Sequence, residues 1–225
     1  LTSPARAAER VPAQMATEQR PNSWEKLLAS VPSEPWDLFT DYPRVSEGNR
    51  DSDCPRSTST VTVDVGTAAD ELDLLVAFCV ALGACDRGRE SLWILDGSDD
   101  RAPLPLRAEL HSGSIEDLRE QLSLARKQAR AARHEAEDGA TSEAFGSGQQ
   151  GRPPLCQAAF LRIPSKISKL AEENLHWDLA LYLGDEAPCL SYLAELFDEA
   201  TAKAISNHIA ALMEDRPSWG SRLLI

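Results

Sequence analysis

One run constrains this chain more than any other: GTAADELDLLVAFCVALGAC, residues 66–85. Thr67 reads as an N-cap, and Asp70 and Glu71 fall in the first turn, where carboxylates suit the positive end of a helix. Leu72, Leu75, Val76, Cys79 and Leu82 make one apolar stripe. Leu74, Phe78 and Val80 widen it until the helix is apolar nearly all round. Such a helix has no face for water and must lie deep in a core, covered on several sides. Gly83 reads as its end.

The cover comes from segments of the opposite periodicity. TSTVTVDV (residues 58–65), SLWILD (91–96), LPLRAEL (104–110), LCQAAFLRI (155–163), LHWDLALYL (175–183) and CLSYLAEL (189–196) read as strands. In the fifth, Leu175, Trp177, Leu179, Leu181 and Leu183 share one face, and His176, Asp178, Ala180 and Tyr182 share the other. GDEAP joins it to the sixth as an antiparallel hairpin. SGSIEDLREQLSLARKQARAARHEAED reads as a long amphipathic helix capped by Ser114, with Ile115, Leu118, Leu122 and Leu124–Ala125 inward. A last helix starts at Asp198, buries Ile205, Ile209, Leu212 and Met213, and stops at Pro217. The order β-α-β-β-α-β-β-β-α predicts an α+β fold, a mixed, largely antiparallel sheet packed with helices.

Outside this unit the composition changes. Residues 1–22 read as a flexible lead. Residues 23–57 hold a short helix, with Trp24, Leu27, Leu28 and Val31 on one face, and then an extended Pro/Asp/Ser-rich connector. The unit itself is placed at residues 58–217, with a mobile loop at 139–154 and the start of a linker at 218–225. The chain opens on Leu1 rather than Met, which suggests a piece of something longer or a processed chain.

Charge excludes some partners. The net charge of −13 argues against nucleic acid and against anionic membrane, which need clustered Lys and Arg. The basic run RKQARAARH (126–134) is followed at once by EAED and reads as a solvated helix face. No apolar run approaches the roughly 20 residues that span a bilayer. The five cysteines include no CxxC and read as reduced, mostly buried thiols, which points to the cytoplasm. GSGQQG lacks the context and the Lys of a phosphate loop, and DGSDDRAP reads as an acidic turn rather than a calcium loop.

The ordered segments carry a resemblance. PWDLFTDYPR, LDLLVAFCVALGAC, PLPLRAEL with SIEDLREQLSLARKQ, RPPLCQAAFLRI and LSYLAELFDEATAKAISNHIAALMED follow one another as do the landmarks of the C-terminal half of a nonribosomal-peptide condensation domain. The resemblance covers roughly residues 20–218. It implies a single lobe of the chloramphenicol-acetyltransferase-like fold. The same half-domain resembles the N-terminus of fungal L-2-aminoadipate reductases. That likeness implies a parent that activates a carboxylic acid with ATP and Mg, loads it on phosphopantetheine and reduces the thioester with NADPH, in lysine biosynthesis. It implies no cofactor in this segment, and an adjacent adenylation domain as partner.

The family's catalytic HHxxxDG is missing. None of His111, His134, His176 and His208 has that spacing, and the Asp-Gly pairs, Asp96-Gly97 and Asp138-Gly139, fall in predicted turns. His176 and Asp178 share a strand face, yet their Cβ atoms stand about 7 Å apart by strand geometry. We therefore expect no catalytic, cofactor-binding or metal-binding residue here, and a structural or interaction module. The alternative is an acyltransferase half that becomes active when a second lobe joins it. A lone lobe exposes the surface that a second lobe covers, which leaves room for self-association. Trp36, Phe39, Tyr42 and Trp219 are the candidate contact residues, since aromatics anchor interfaces, the alternative being that they cover the edge of this chain's own core.

Overall fold

The computed structural model describes residues 57–66, 69–85, 90–98, 104–110, 113–135, 158–162, 177–184 and 187–224. In chain order they form β1 (Thr58–Thr62), α1 (Glu71–Cys85), β2 (Ser91–Gly97), β3 (Leu104–Glu109), α2 (Ile115–Glu135), β4 (Ala158–Arg162), β5 (Leu179–Leu183), β6 (Cys189–Leu193) and α3 (Glu199–Glu214), then a 3-10 turn, Arg216–Ser218. The predicted order of elements is the observed one. The strands make one six-stranded sheet in the order β1-β6-β5-β4-β2-β3. β4 lies parallel to both β2 and β5, and the other three pairings are antiparallel.

All three helices pack on one face of the sheet, and α1 is the centre of that layer. Leu74 through Cys79, Ala81 and Leu82 are all buried. Beneath them lie Leu92, Ile94, Leu106, Ala158, Phe160, Leu179 and Leu181, the inward residues of the middle strands, while α2 and α3 close the sides. Gly83 does not end α1, which runs on to Cys85. A Cβ at that position would stand 2.6 Å from Leu110 Cδ1, so the glycine marks where α1 is pressed against the end of β3. The cap is also displaced. Asp70, rather than Thr67, holds the first turn, accepting from the amides of Leu72 (2.9 Å) and Asp73 (3.2 Å). Thr67 lies outside the described residues.

The other helix starts follow the sequence. Ser114 and Asp117 cap α2 reciprocally. The Ser114 amide and hydroxyl donate to Asp117 Oδ2 at 2.6 and 2.9 Å, and the Asp117 amide donates back to the hydroxyl at 3.2 Å. These bonds hold the Asp117 carboxyl below its usual range. Asp198 accepts from the Thr201 amide at 2.7 Å at the start of α3.

One acid sits in the apolar layer. Asp73 on α1 is 1% exposed. A buried carboxylate needs opposite charge and hydrogen bonds. Asp73 Oδ1 receives Arg119 Nε of α2 at 2.6 Å, and Oδ2 meets Arg216 Nε just beyond α3. A second cluster lies one layer down. Arg126 of α2, 8% exposed, sets its guanidinium against Asp96 of β2, with Nε 2.8 Å from Oδ2 and an NH2 bond of 3.2 Å to Oδ1. Its NH1 bonds Glu71 at 3.0 Å, and its plane lies 6.0 Å from the Phe160 ring centre. The basic run is thus not the solvated face that its composition predicts. Arg126, Ala129, Ala132 and Arg133 make its buried side, and Leu124, expected inward, is exposed.

The chain past α3 also corrects its expected role. Residues 218–224 are not a linker but a strap across the helix layer. Trp219 is fully buried, and its indole N–H donates to the Leu212 carbonyl at 3.0 Å. The Ile115 amide donates to the Arg222 carbonyl and the Leu224 amide to that of Gly113, both at 3.1 Å, tying the strap to the start of α2.

Two outcomes are expected from this packing. Trp219→Ala destabilises the fold by about 3–5 kcal/mol in urea unfolding, as loss of a core aromatic does. Arg126→Leu costs about 3–5 kcal/mol, because it leaves the buried Asp96 without its cation, while Glu71 keeps Arg162. Asp96→Leu added to it recovers most of that loss. A double variant no more stable than the single would assign Arg126 a packing role only.

Candidate functional site

The face of the sheet away from the helices is where a binding surface is expected. Side chains alternate along a strand, so Trp93 and Leu95 of β2, Ala159 of β4, and Ala180 and Tyr182 of β5 point there together. All five are buried, and among the described residues this cluster is built from strand side chains, with Trp177, Leu161 and Cys189 packed at its margin. The central strands are thus apolar on both faces, as strands covered on both sides are. Trp177 departs from expectation. The alternation predicted for residues 175–183 puts it beside Leu179, but the chain bends at Asp178 and β5 begins only at Leu179. The bend carries Trp177 to the Tyr182 side. The Asp178 carbonyl accepts from Leu193 N–H at 3.0 Å, which anchors the bend to the end of β6. Burial pushes the Tyr182 phenol above its usual range, the neighbouring Cys189 adds to the shift, and the indole of Trp177 opposes it.

A second concavity lies at the other end of α1. A cleft of about 350 Å³ opens between the β1–α1 connection, the last turn of α3 and the 3-10 turn. Asp64, Asp70, Asp73 and Glu214 line it with Met213 and Arg216. Its one cation, Arg216, is already engaged by Asp73. Among the described residues, no group of three or more His, Cys, Asp and Glu side chains is placed to hold a metal ion.

The residues singled out in the sequence scatter. His134 is exposed on α2 and His208 half-buried on α3. His111, His176, Trp36, Phe39 and Tyr42 lie outside the described residues. Trp219, expected at an interface, is 0% exposed and belongs to the chain's own core, so it is not available as an anchor. Burial pushes the Cys79 thiol up to about 12, with Asp96 adding to the effect, so no thiolate forms there near neutral pH. Cys85 and Cys189 are partly buried, and the Cys85 thiol donates to the Ala81 carbonyl at 2.8 Å. No helix among the described residues is long and apolar enough to cross a membrane. Asp73, Asp96 and Arg126, three of the buried charged residues, are not legible in the sequence as a set. Asp73 is a charge inside the most apolar helical run, and that is the available signal.

His208 gives this region a pH dependence. Burial, and secondarily the charge of Arg222, lower its pKa in the folded chain. The unfolded chain then binds the proton more readily, so the contribution is present above about pH 6.5 and is lost as pH falls through the folded pKa. His208→Gln is expected to flatten the decline in Tm between pH 7 and 5. An unchanged slope would assign that decline to other groups.

No family model matches the chain, and no curated protein matches it. Solved structures do. The X-domain in complex with OxyB from teicoplanin biosynthesis is 19% identical with a TM-score of 0.62, over 89% of this chain and 53% of that one. The condensation domain of the monacolin K polyketide synthase MokA is 17% identical with a TM-score of 0.60, over 90% and 57%. The starter condensation domain of the rhizomide synthetase RzmA is 14% identical with a TM-score of 0.53, over 90% and 52%. The chain spans about half the length of the structures it matches. Its fold is the condensation-domain fold, in the chloramphenicol-acetyltransferase-like class.

Proposed function

We propose that this lobe is a non-catalytic interaction module, and that its parent is an adenylation–carrier–reductase enzyme acting on L-2-aminoadipate. One observation carries the first half. The chain aligns over about nine-tenths of its length with condensation-fold structures but spans only 53% and 57% of the first two. In a two-lobed fold the cleft between the lobes is where a reaction is housed, so a single lobe offers one wall of it. The X-domain supports the same reading, because its structure was solved bound to another protein, OxyB.

On this reading the lobe packs on the adenylation domain beside it and orients that domain. ATP with magnesium, phosphopantetheine and NADPH belong to the other domains of the parent, and the protein works in the cytoplasm. Two of the carboxylates this lobe buries, Asp73 and Asp96, are neutralised by Arg119, Arg126 and Arg216 and serve its own fold.

The test is made on the parent enzyme. Full-length protein is assayed for ATP- and NADPH-dependent reduction of L-2-aminoadipate, and for acyl transfer from its loaded carrier. Turnover unchanged by His176→Ala, but reduced when residues 58–224 are deleted, is the expected result. Acyl transfer that collapses in His176→Ala would overturn the non-catalytic reading. A wild-type parent that does not reduce L-2-aminoadipate would overturn the assignment of the substrate.

A further inference from the structure

The two edges of the sheet are finished differently. On β3 the Leu110 amide donates to the Glu90 carbonyl, and Leu106 pairs with Ile94. The peptide groups of Pro105, Arg107 and Glu109 therefore point outward. Pro105 has no N–H to offer. The Gln121 side-chain amide takes the next two groups, donating to the Arg107 carbonyl at 3.0 Å and accepting from the Glu109 amide at 3.2 Å. This edge is closed by a proline, by charged side chains and by one glutamine that bonds as a strand would.

β1 has none of these guards. The Val63 amide donates to the Pro188 carbonyl at 2.8 Å and the Ala194 amide to that of Ser57 at 2.9 Å. Residues 57, 59, 61 and 63 thus face β6, and the peptide groups of Thr58, Thr60 and Thr62 face outward. The Thr62 carbonyl accepts from the Ser206 hydroxyl at 2.8 Å. Among the described residues nothing bonds the outward groups of Thr58 and Thr60, or the Thr62 amide. Thr60 and Thr62 are exposed, and the strand holds neither proline nor charge.

We propose that the β1 edge is a strand-addition site for an extended, antiparallel segment of a partner polypeptide. That segment is uncharged and β-branched at its centre and carries Lys or Arg at the end that meets Asp64. Free N–H and C=O groups in register are complemented by another backbone. Threonine side chains pair well across strands with β-branched partners. Asp64 follows the edge directly and is exposed, as is Asp70, in a chain of net charge −13, which sets the sign of the incoming charge. A bare strand fits better than a second copy. Ser206 shows that α3 reaches over the edge at Thr62, and an antiparallel two-fold pairing puts both α3 helices on one face. Their strands would be about 4.8 Å apart, where packed helices need about 8–10 Å. The inference does not depend on the identity of the parent enzyme.

The test uses the 225-residue chain and the fluorescein-labelled heptapeptide KSTVTVT, whose first residue falls opposite Asp64 in this register. Saturable anisotropy is expected. Thr60→Pro should weaken binding by about tenfold or more while the far-UV spectrum and the thermal melt are retained, since proline is tolerated where the N–H faces solvent. A peptide N-methylated at its fifth and seventh residues, whose amides face the open carbonyls of Thr60 and Thr58, should lose binding. Methylation at the fourth and sixth should not do so. Absence of binding, or binding indifferent to both Thr60→Pro and the methylation pattern, would overturn the proposal. So would a chain that is dimeric in solution and becomes monomeric in Thr60→Pro, which assigns the edge to a second copy.

Discussion

Everything in this fold depends on hiding α1. A helix that is apolar on nearly every side is worth about 25 cal/mol for each Å² it removes from water, but only when all its sides are covered. One sheet covers one side. The chain therefore has to place a helix on each flank and a strap over what remains, and α2, α3 and the segment around Trp219 do this. The single buried acid on α1 then fixes how the flanks sit. Asp73 cannot stay charged in that layer without partners, and its partners come from both sides, Arg119 from α2 and Arg216 from beyond α3. One carboxylate thus sets the register of three helical segments that apolar contacts alone would hold loosely.

The sheet is built to the same need. Its middle strands are apolar on both faces and run parallel in the centre, where burial is deepest, whereas its edges are antiparallel. A surface of Trp93, Tyr182 and their neighbours on the far side gives the lobe two dry faces rather than one.

Much of this was legible in the sequence because it follows from periodicity. The number and order of elements, the caps at Ser114 and Asp198, and the hairpin between β5 and β6 are local signals, and local signals survive folding. Failures share one cause, which is contact between residues distant in sequence. Arg126 reads as surface because its neighbours are charged, and only Asp96, thirty residues away, makes it a core residue. Gly83 reads as a stop signal, and the reason for it is Leu110. Trp219 sits after the last predicted helix, in what reads as linker, and becomes core because α3 turns back at Pro217. Trp177 was assigned by strict alternation, which a single bend at Asp178 defeats. For the candidate site periodicity is not enough: the far face of the sheet exists only once β5, β4 and β2, from separate parts of the chain, are laid side by side.

The strap has a mechanical side. A pull on residue 224 meets first the two backbone bonds to residues 113 and 115, then the Arg222–Asp215 pair, and only then the indole of Trp219 lodged under α3. The load is taken in sequence by weak bonds at the surface before it reaches the buried ring, and the sheet lies behind all of them. Tension entering from this side is therefore absorbed by peeling a few residues at a time, and β1 to β6 keep their pairing while the strap yields.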